Sequence, residues 1–217
     1  MGIVLLRISG TGMFPYAVGE ELIMQATLGR TLTHRIGLRS ELAADIILVL
    51  SGSLLISLMA QIRIPLPFSP VPITGQTFAV LLVGAALGGR RAAVSTLLYI
   101  GQGALGLPVF AGGGFGIARL LGPTGGYLFG FVPAAYLVGI LAERGLDRKP
   151  RSALPLFIAG QMVIYAFGVA WLSTFVGFST ALATGLLPFL AVDAFKALLA
   201  AGCLPVAWSM VRALETG

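Results

Sequence analysis

Apolar residues run through this chain in long stretches, broken by short clusters of charge, glycine or proline. About 20 such residues carry a helix once across the hydrocarbon of a bilayer. On that measure the pattern predicts six spans: about Leu42 to Ile62, Thr74 to Leu87, Ala92 to Leu105, Tyr127 to Ala142, Leu154 to Val176 and Leu190 to Leu214. The first is followed by Pro65, Pro67, Pro70 and Pro72, four prolines in eight residues, which cannot continue a helix. The second is short, as suits a tilted helix or one incompletely exposed to lipid, and stops at Gly88-Gly89-Arg90-Arg91. A glycine-rich stretch from Gly106 to Gly126 follows the third, and a charged link from Glu143 to Arg151 follows the fourth. Gly177 to Pro188 reads as an uncharged loop. Residues 1–41 hold no long apolar run and read as a cytoplasmic extension with a short interfacial helix from Glu20 to Arg35. The expected fold is all-α: a polytopic six-transmembrane-helix bundle over residues 42–214, with its substrate site toward the outer face.

Composition agrees with lipid as the solvent. The chain of 217 residues is 57% hydrophobic and 10% charged, against roughly 25% charged in a soluble domain, and its mean hydropathy is +0.97. The net charge of +6 does not point to nucleic acid, because the basic residues sit between apolar runs and form no stripe with interleaved aromatics. They orient the chain instead. With six spans, Arg7, Arg30, Arg35, Arg39, Arg90, Arg91, Arg144, Arg148, Lys149, Arg151 and Arg212 share one side, 11 of the 14 basic residues. The positive-inside rule makes that side, and both termini, cytoplasmic, in a multi-pass plasma-membrane protein.

The exceptions carry the interest. Arg63, Arg119 and Lys196 lie toward the outer face, where Asp193 is the only acidic residue. An outward-opening cavity with that positive balance suits a small anion such as a carboxylate. Asp193 and Lys196 are three apart at the start of the sixth span and share a helix face. They are either a polar anchor for a ligand, with Asp accepting N–H donors and Lys holding an anionic or carbonyl oxygen, or a self-neutralising pair that fixes the helix at the interface. Arg119, in the glycine-rich stretch, is a candidate carboxylate clamp or a solvated loop cation. Arg63 reads as an interfacial residue. Thr74, Gln76 and Thr77 open the second span, offering hydrogen bonds to a ligand or capping their own helix. Tyr127 either stacks on a ligand or belongs to an interfacial belt. Ser53 and Ser57 make a small-xxx-small face that serves a partner subunit or packing inside the bundle.

Several chemistries are disfavoured. Cys203 is alone and forms no internal disulfide, and no Cys/His cluster spells a metal site. The single histidine, His34, lies in the extension, which leaves no Ser/His catalytic site. Gly101-Gln102-Gly103-Ala104-Leu105-Gly106 matches the dinucleotide pattern GxGxxG, yet no strand precedes it and Leu107-Pro108 follows at once. Gly122-Pro123-Thr124-Gly125-Gly126 lacks the Lys-Ser/Thr ending of a phosphate loop, so ATP hydrolysis would fall to another subunit.

Four segments together resemble one family. Ile64-Pro65-Leu66-Pro67 through Val71-Pro72-Ile73-Thr74-Gly75-Gln76-Thr77 resembles the first outer loop of the BioY family, the biotin-specific substrate-binding (S) components of energy-coupling factor (ECF) transporters. Gly106-Leu107-Pro108-Val109-Phe110-Ala111-Gly112-Gly113, Leu121-Gly122-Pro123-Thr124-Gly125-Gly126-Tyr127 and Asp193-Ala194-Phe195-Lys196 resemble its later signatures, in order, over about Leu42 to Leu214. The resemblance implies a six-helix fold that captures biotin without catalysis or cofactor. It also implies a transmembrane scaffold subunit and two cytoplasmic ATPases as partners, although members without recognised partners are thought to transport alone. It makes Asp193 and Lys196 the leading ligand contacts, with Thr74, Gln76, Phe110, Arg119 and Tyr127 lining the site. It places Ser53 and Ser57 where such components meet their scaffold, with serines in place of the usual alanines. Another small vitamin as ligand, or an intramembrane enzyme acting on a lipid-like substrate, are the competing readings.

Overall fold

The structure, a computed structural model, describes residues 27–35 and 40–213. Residues 20–26 of the expected interfacial helix, Arg7 and Arg39 in the extension, and the end of the sixth span at Leu214 lie outside them. Helix α1 spans Leu28–Arg35. Leu28 is buried, and Gly29 lies so close to Leu48, Ala86 and Leu87 that a Cβ there would crowd them. This part of the extension is therefore packed on the bundle.

Helix α2, Glu41–Ala60, starts at Ser40, whose hydroxyl accepts the Ala43 N–H, with Glu41 in the first turn complementing the helix dipole. A two-stranded antiparallel ribbon follows. β1, Arg63–Ile64, pairs with β2, Ile73–Thr74, in the register Arg63 to Thr74 and Ile64 to Ile73. The proline-rich strap between them is pinned at Ser69, whose hydroxyl accepts the Val71 N–H at 3.1 Å and donates to the Thr184 carbonyl at 2.7 Å.

Helix α3, Gln76–Leu87, buries eight of its twelve residues and packs on its neighbours all round. At about 1.5 Å per residue it is too short to cross a bilayer of about 30 Å. Its apolarity is thus that of an inner helix, the incompletely lipid-exposed case among the two that its length allowed. Gly88 turns the chain in one residue with φ +84°, and α4, Gly89–Ala104, returns beside α3. The Glu143 carboxylate accepts the Gly89 N–H at 3.0 Å and caps that helix start.

The glycine-rich stretch contains a short helix, α5 (Ile117–Leu121), before α6, Gly125–Glu143. α6 lies against α7, Pro150–Val176, where Gly126 meets Trp171 and Gly130 meets Ile164 and Phe167. The segment expected as a loop after Val176 is mostly helical. Gly177, with φ +80°, bends the chain into α8, Phe178–Gly185, and a 3-10 turn, Leu187–Phe189, leads into α9, Leu190–Ala213. An uncharged segment between two spans is as able to form a helix as a loop, and here it does.

Among the described residues four helical stretches are long and apolar enough to cross a membrane: Glu41–Ala60, Gly125–Glu143, Pro150–Val176 and Phe178–Met210. The chain is a multi-pass, largely helical membrane protein. Its lipid-facing surface carries exposed Leu54, Leu58, Leu97, Met162, Phe195 and Leu199. The small-residue face of α2 turns inward. Ser53 donates to Gln102 on α4 at 2.8 Å, and Ser57 donates to the Ser53 carbonyl. At the end of the bundle formed by the α6–α7 link, Asp147 accepts the Trp208 indole N–H at 2.6 Å, and Arg148 lies over the same indole ring at 4.3 Å.

Candidate functional site

The loops at the other end of the bundle roof a cavity of about 810 Å³, a volume that includes the solvent in its open mouth. Its floor is polar. Asp193 lies in the first turn of α9, where the helix dipole favours an anion. Its Oδ1 receives Lys196 Nζ at 2.7 Å and the Thr77 hydroxyl at 3.4 Å. Its Oδ2 receives Gln161 Nε2 at 2.8 Å and the Tyr165 hydroxyl at 2.7 Å. Lys196 also donates to the Thr74 carbonyl at 2.8 Å and to the Thr77 hydroxyl at 3.1 Å. Three helices thus converge on one ion pair: α3 through Thr77, with Thr74 of β2 just ahead of it, α7 through Gln161 and Tyr165, and α9 through the pair itself. An aspartate and a lysine set among apolar helices would each be costly alone. Here each is desolvated against its partner and bonded at nearly every remaining site.

The walls come from the loops and from α6. Phe110 and Tyr127 are buried in the lining, with Leu128, Phe131, Ile164 and Phe189 beside them. Tyr127 donates to the Gly185 carbonyl at 2.7 Å, fixing its ring between α6 and α8. Gln76 donates to the Tyr99 hydroxyl, and its own backbone N–H reaches the Thr74 hydroxyl at 3.3 Å. Arg63 and Arg119 line the cavity with exposed side chains. Two cations at the mouth and a neutral ion pair at the floor describe a site with a positive outer rim.

All seven residues expected to bind ligand, Thr74, Gln76, Phe110, Arg119, Tyr127, Asp193 and Lys196, line this one cavity. Asp193 and Lys196 neutralise each other and also face the cavity. Arg63 lines the cavity too, beyond the interfacial role read for it. Gln161 and Tyr165 went unread in the sequence. The available signal was a glutamine in an apolar helix with a tyrosine four residues on, one face of α7. Ser53 and Ser57 are not brought to the cavity or to the lipid surface but lie between α2 and α4. Among the described residues no cluster of three His, Cys, Asp or Glu is placed to hold a metal ion.

A helical membrane protein with a cavity roofed by loops at one end is the class these features define. Its backbone superposes, with a TM-score of 0.70 and 25% identity, on the crystal structure of the S-component for biotin from an ECF-type ABC transporter, covering 82% of this chain and 94% of that one. The BioY family profile matches residues 24–213. A protein of Pyrococcus horikoshii described as "Probable biotin transporter BioY" is 43% identical over 155 residues, 71% of this chain and 90% of its own. The biotin transporter BioY of Rhizobium etli is 37% identical over 166 residues, 72% of this chain and 89% of its own. The biotin transporter BioY2 of Lactococcus lactis is 38% identical over 157 residues, 70% of this chain and 83% of its own. The chain belongs to the BioY family. The match begins 18 residues ahead of the expected domain start at Leu42 and takes in α1, in keeping with the packing of that helix on α2 and α3.

Proposed function

We propose that this protein captures biotin from outside the cell and serves as the substrate-binding component of an ECF-type importer. The observation that carries the reading is the floor of the cavity: an ion pair among apolar helices, held by three of them and open to the hollow above it. Biotin has a compact bicycle with N–H donors and a carbonyl, an apolar tail and a terminal carboxylate. Asp193 accepts a ureido N–H, Lys196 faces the ureido carbonyl, the aromatic walls hold the bicycle and tail, and Arg119 meets the carboxylate at the rim. The long contact from Thr77 to Asp193, at 3.4 Å, is the bond most readily given up to the ligand.

We read the chain as a six-helix bundle in the plasma membrane with both termini in the cytoplasm, α3 as its inner helix and α4 returning beside it. The turn at Gly88-Gly89-Arg90-Arg91 and the charged link after α6 then lie on the basic, cytoplasmic side. Transport energy comes from a membrane scaffold subunit and two ATPases. Ser53 and Ser57 would reach such a scaffold only through the spacing they allow between α2 and α4.

Equilibrium binding to detergent-purified protein tests the reading. Biotin binds without ATP, other vitamins compete poorly, and Lys196→Ala weakens binding at least about tenfold while Arg151→Ala, at an exposed site in the α7 start, leaves it unchanged. Equal displacement by an unrelated vitamin would move the assignment to another ligand, and turnover of any ligand would favour an enzyme.

A further inference from the structure

The segment Gly101-Gln102-Gly103 with Gly106 closes α4 and leads into the glycine-rich loop, and the structure gives it a task there. Phe110 belongs to a loop whose regular structure is limited to one bridge to Gly114, with left-handed Gly112 and Gly113 at its tip. Such a loop cannot by itself fix the direction of an aromatic ring. The ring is nevertheless only 2% exposed and forms part of the cavity wall. It rests on Gly103, where a Cβ would overlap three of its atoms. Its edge meets Tyr99 one turn earlier on the same face of α4, with ring centroids 5.6 Å apart and planes at 77°. Tyr99 in turn accepts the side-chain N–H of Gln76, a second wall residue from a different segment. The same turn of α4 holds both ends of the loop. Gln102 O accepts the Leu107 N–H at 3.0 Å, and Gly103 O accepts the Gly116 N–H at 2.7 Å.

We propose that Gly103 and Tyr99 are positioning residues of the binding site. Neither lines the cavity. Together they form a seat on α4 that sets Phe110 and Gln76 in the wall and so governs how long a bound ligand is retained. The proposal rests on the reading of the cavity as the biotin site.

A double-mutant cycle on the full-length protein, with biotin as the probe, tests it. Gly103→Ala is expected to weaken binding by about tenfold or more, mainly through faster dissociation. In a Phe110→Leu background, where the shorter side chain leaves room for the new methyl, the same change is expected to cost less than about twofold. Equal losses in both backgrounds would overturn the proposal. Should Gly103→Ala not fold, Tyr99→Phe carries the test: it weakens binding with thermal unfolding unchanged, and adds nothing once Gln76→Ala is present. Full additivity there would equally overturn it. Hydrogen–deuterium exchange of residues 105–116 reads the seat without ligand, rising in Gly103→Ala and returning toward wild type in the double variant. If wild type binds no biotin while exchange follows that pattern, the ligand assignment fails and the seat stands.

Discussion

Among the described residues two aspartates are buried, one near each end of α9, and they are buried differently. Asp193, 6% exposed, has four donors on its two oxygens and faces the cavity. Asp147, 1% exposed, has the Trp208 indole on Oδ2 and no hydrogen-bond partner on Oδ1, and it does not line the cavity that Asp193 faces. A carboxylate offers about four acceptor positions. At Asp193 they are filled by groups that three helices hold in place, so the charge and its direction are set before a ligand arrives. At Asp147 a single strong bond ties the turn after α6 to the last helix, and the spare oxygen remains a cost of that tie. Burial alone therefore does not mark a functional carboxylate here; convergence of donors beside an open space does.

The sharpest way to break this contrast is to remove each charge in turn. Asp193→Asn removes the charge opposite Lys196 and replaces one acceptor oxygen with an NH2 that faces either Gln161 and Tyr165 or Lys196 and Thr77, and is expected to weaken biotin binding by roughly a hundredfold or more. Asp147→Asn should leave the same binding isotherm unchanged, and comparable losses in the two variants would erase the distinction. Tyr165→Phe removes one donor and leaves three, so calorimetry should show a smaller loss, about tenfold.

The least effect is on stability, and its sign is specific. Burial holds the Asp147 carboxyl above its usual range, against the opposing pull of the Trp208 N–H, its own backbone and Arg148. The folded state then binds this proton more tightly than the unfolded one. Its contribution is most favourable below the ordinary carboxylate value of about 3.9 and declines as pH rises through the folded-state value. Thermal unfolding of wild type should lose stability over that interval relative to Asp147→Asn, whose amide does not titrate. A gap that widens in the opposite direction would mean that the charged form is the favoured one.

How much of this was legible in the sequence depended on whether a residue contrasted with its surroundings. Asp193 and Lys196 stood out because charges are rare in apolar runs, and the prolines, glycines and arginines between runs marked the helix ends well. Gln161 and Tyr165 are neutral, and their partner Asp193 lies about thirty residues away in sequence, so no local pattern reports their convergence. The inner position of α3 was hidden for a related reason: a helix buried in protein and one bathed in lipid are equally apolar, and only its twelve-residue length separates them. The small face of α2 could serve either partner or bundle, and the Ser53–Gln102 bond shows it at work within the bundle. The GxGxxG spelling was set aside as a nucleotide site because no strand precedes it, but a glycine chosen to receive an aromatic ring leaves no trace until the ring is seen above it.

The proline-rich strap has one further consequence. Exposed strand edges are where the backbone of a second molecule can anneal, and a membrane crowds copies of a protein edge to edge. Each strand of this ribbon is two residues long, and Pro65, Pro67, Pro70 and Pro72 between them have no N–H to offer. A neighbouring molecule finds no run of donors there to zip onto. The chemistry that bends the chain over the site also keeps adjacent roofs from joining into a shared sheet.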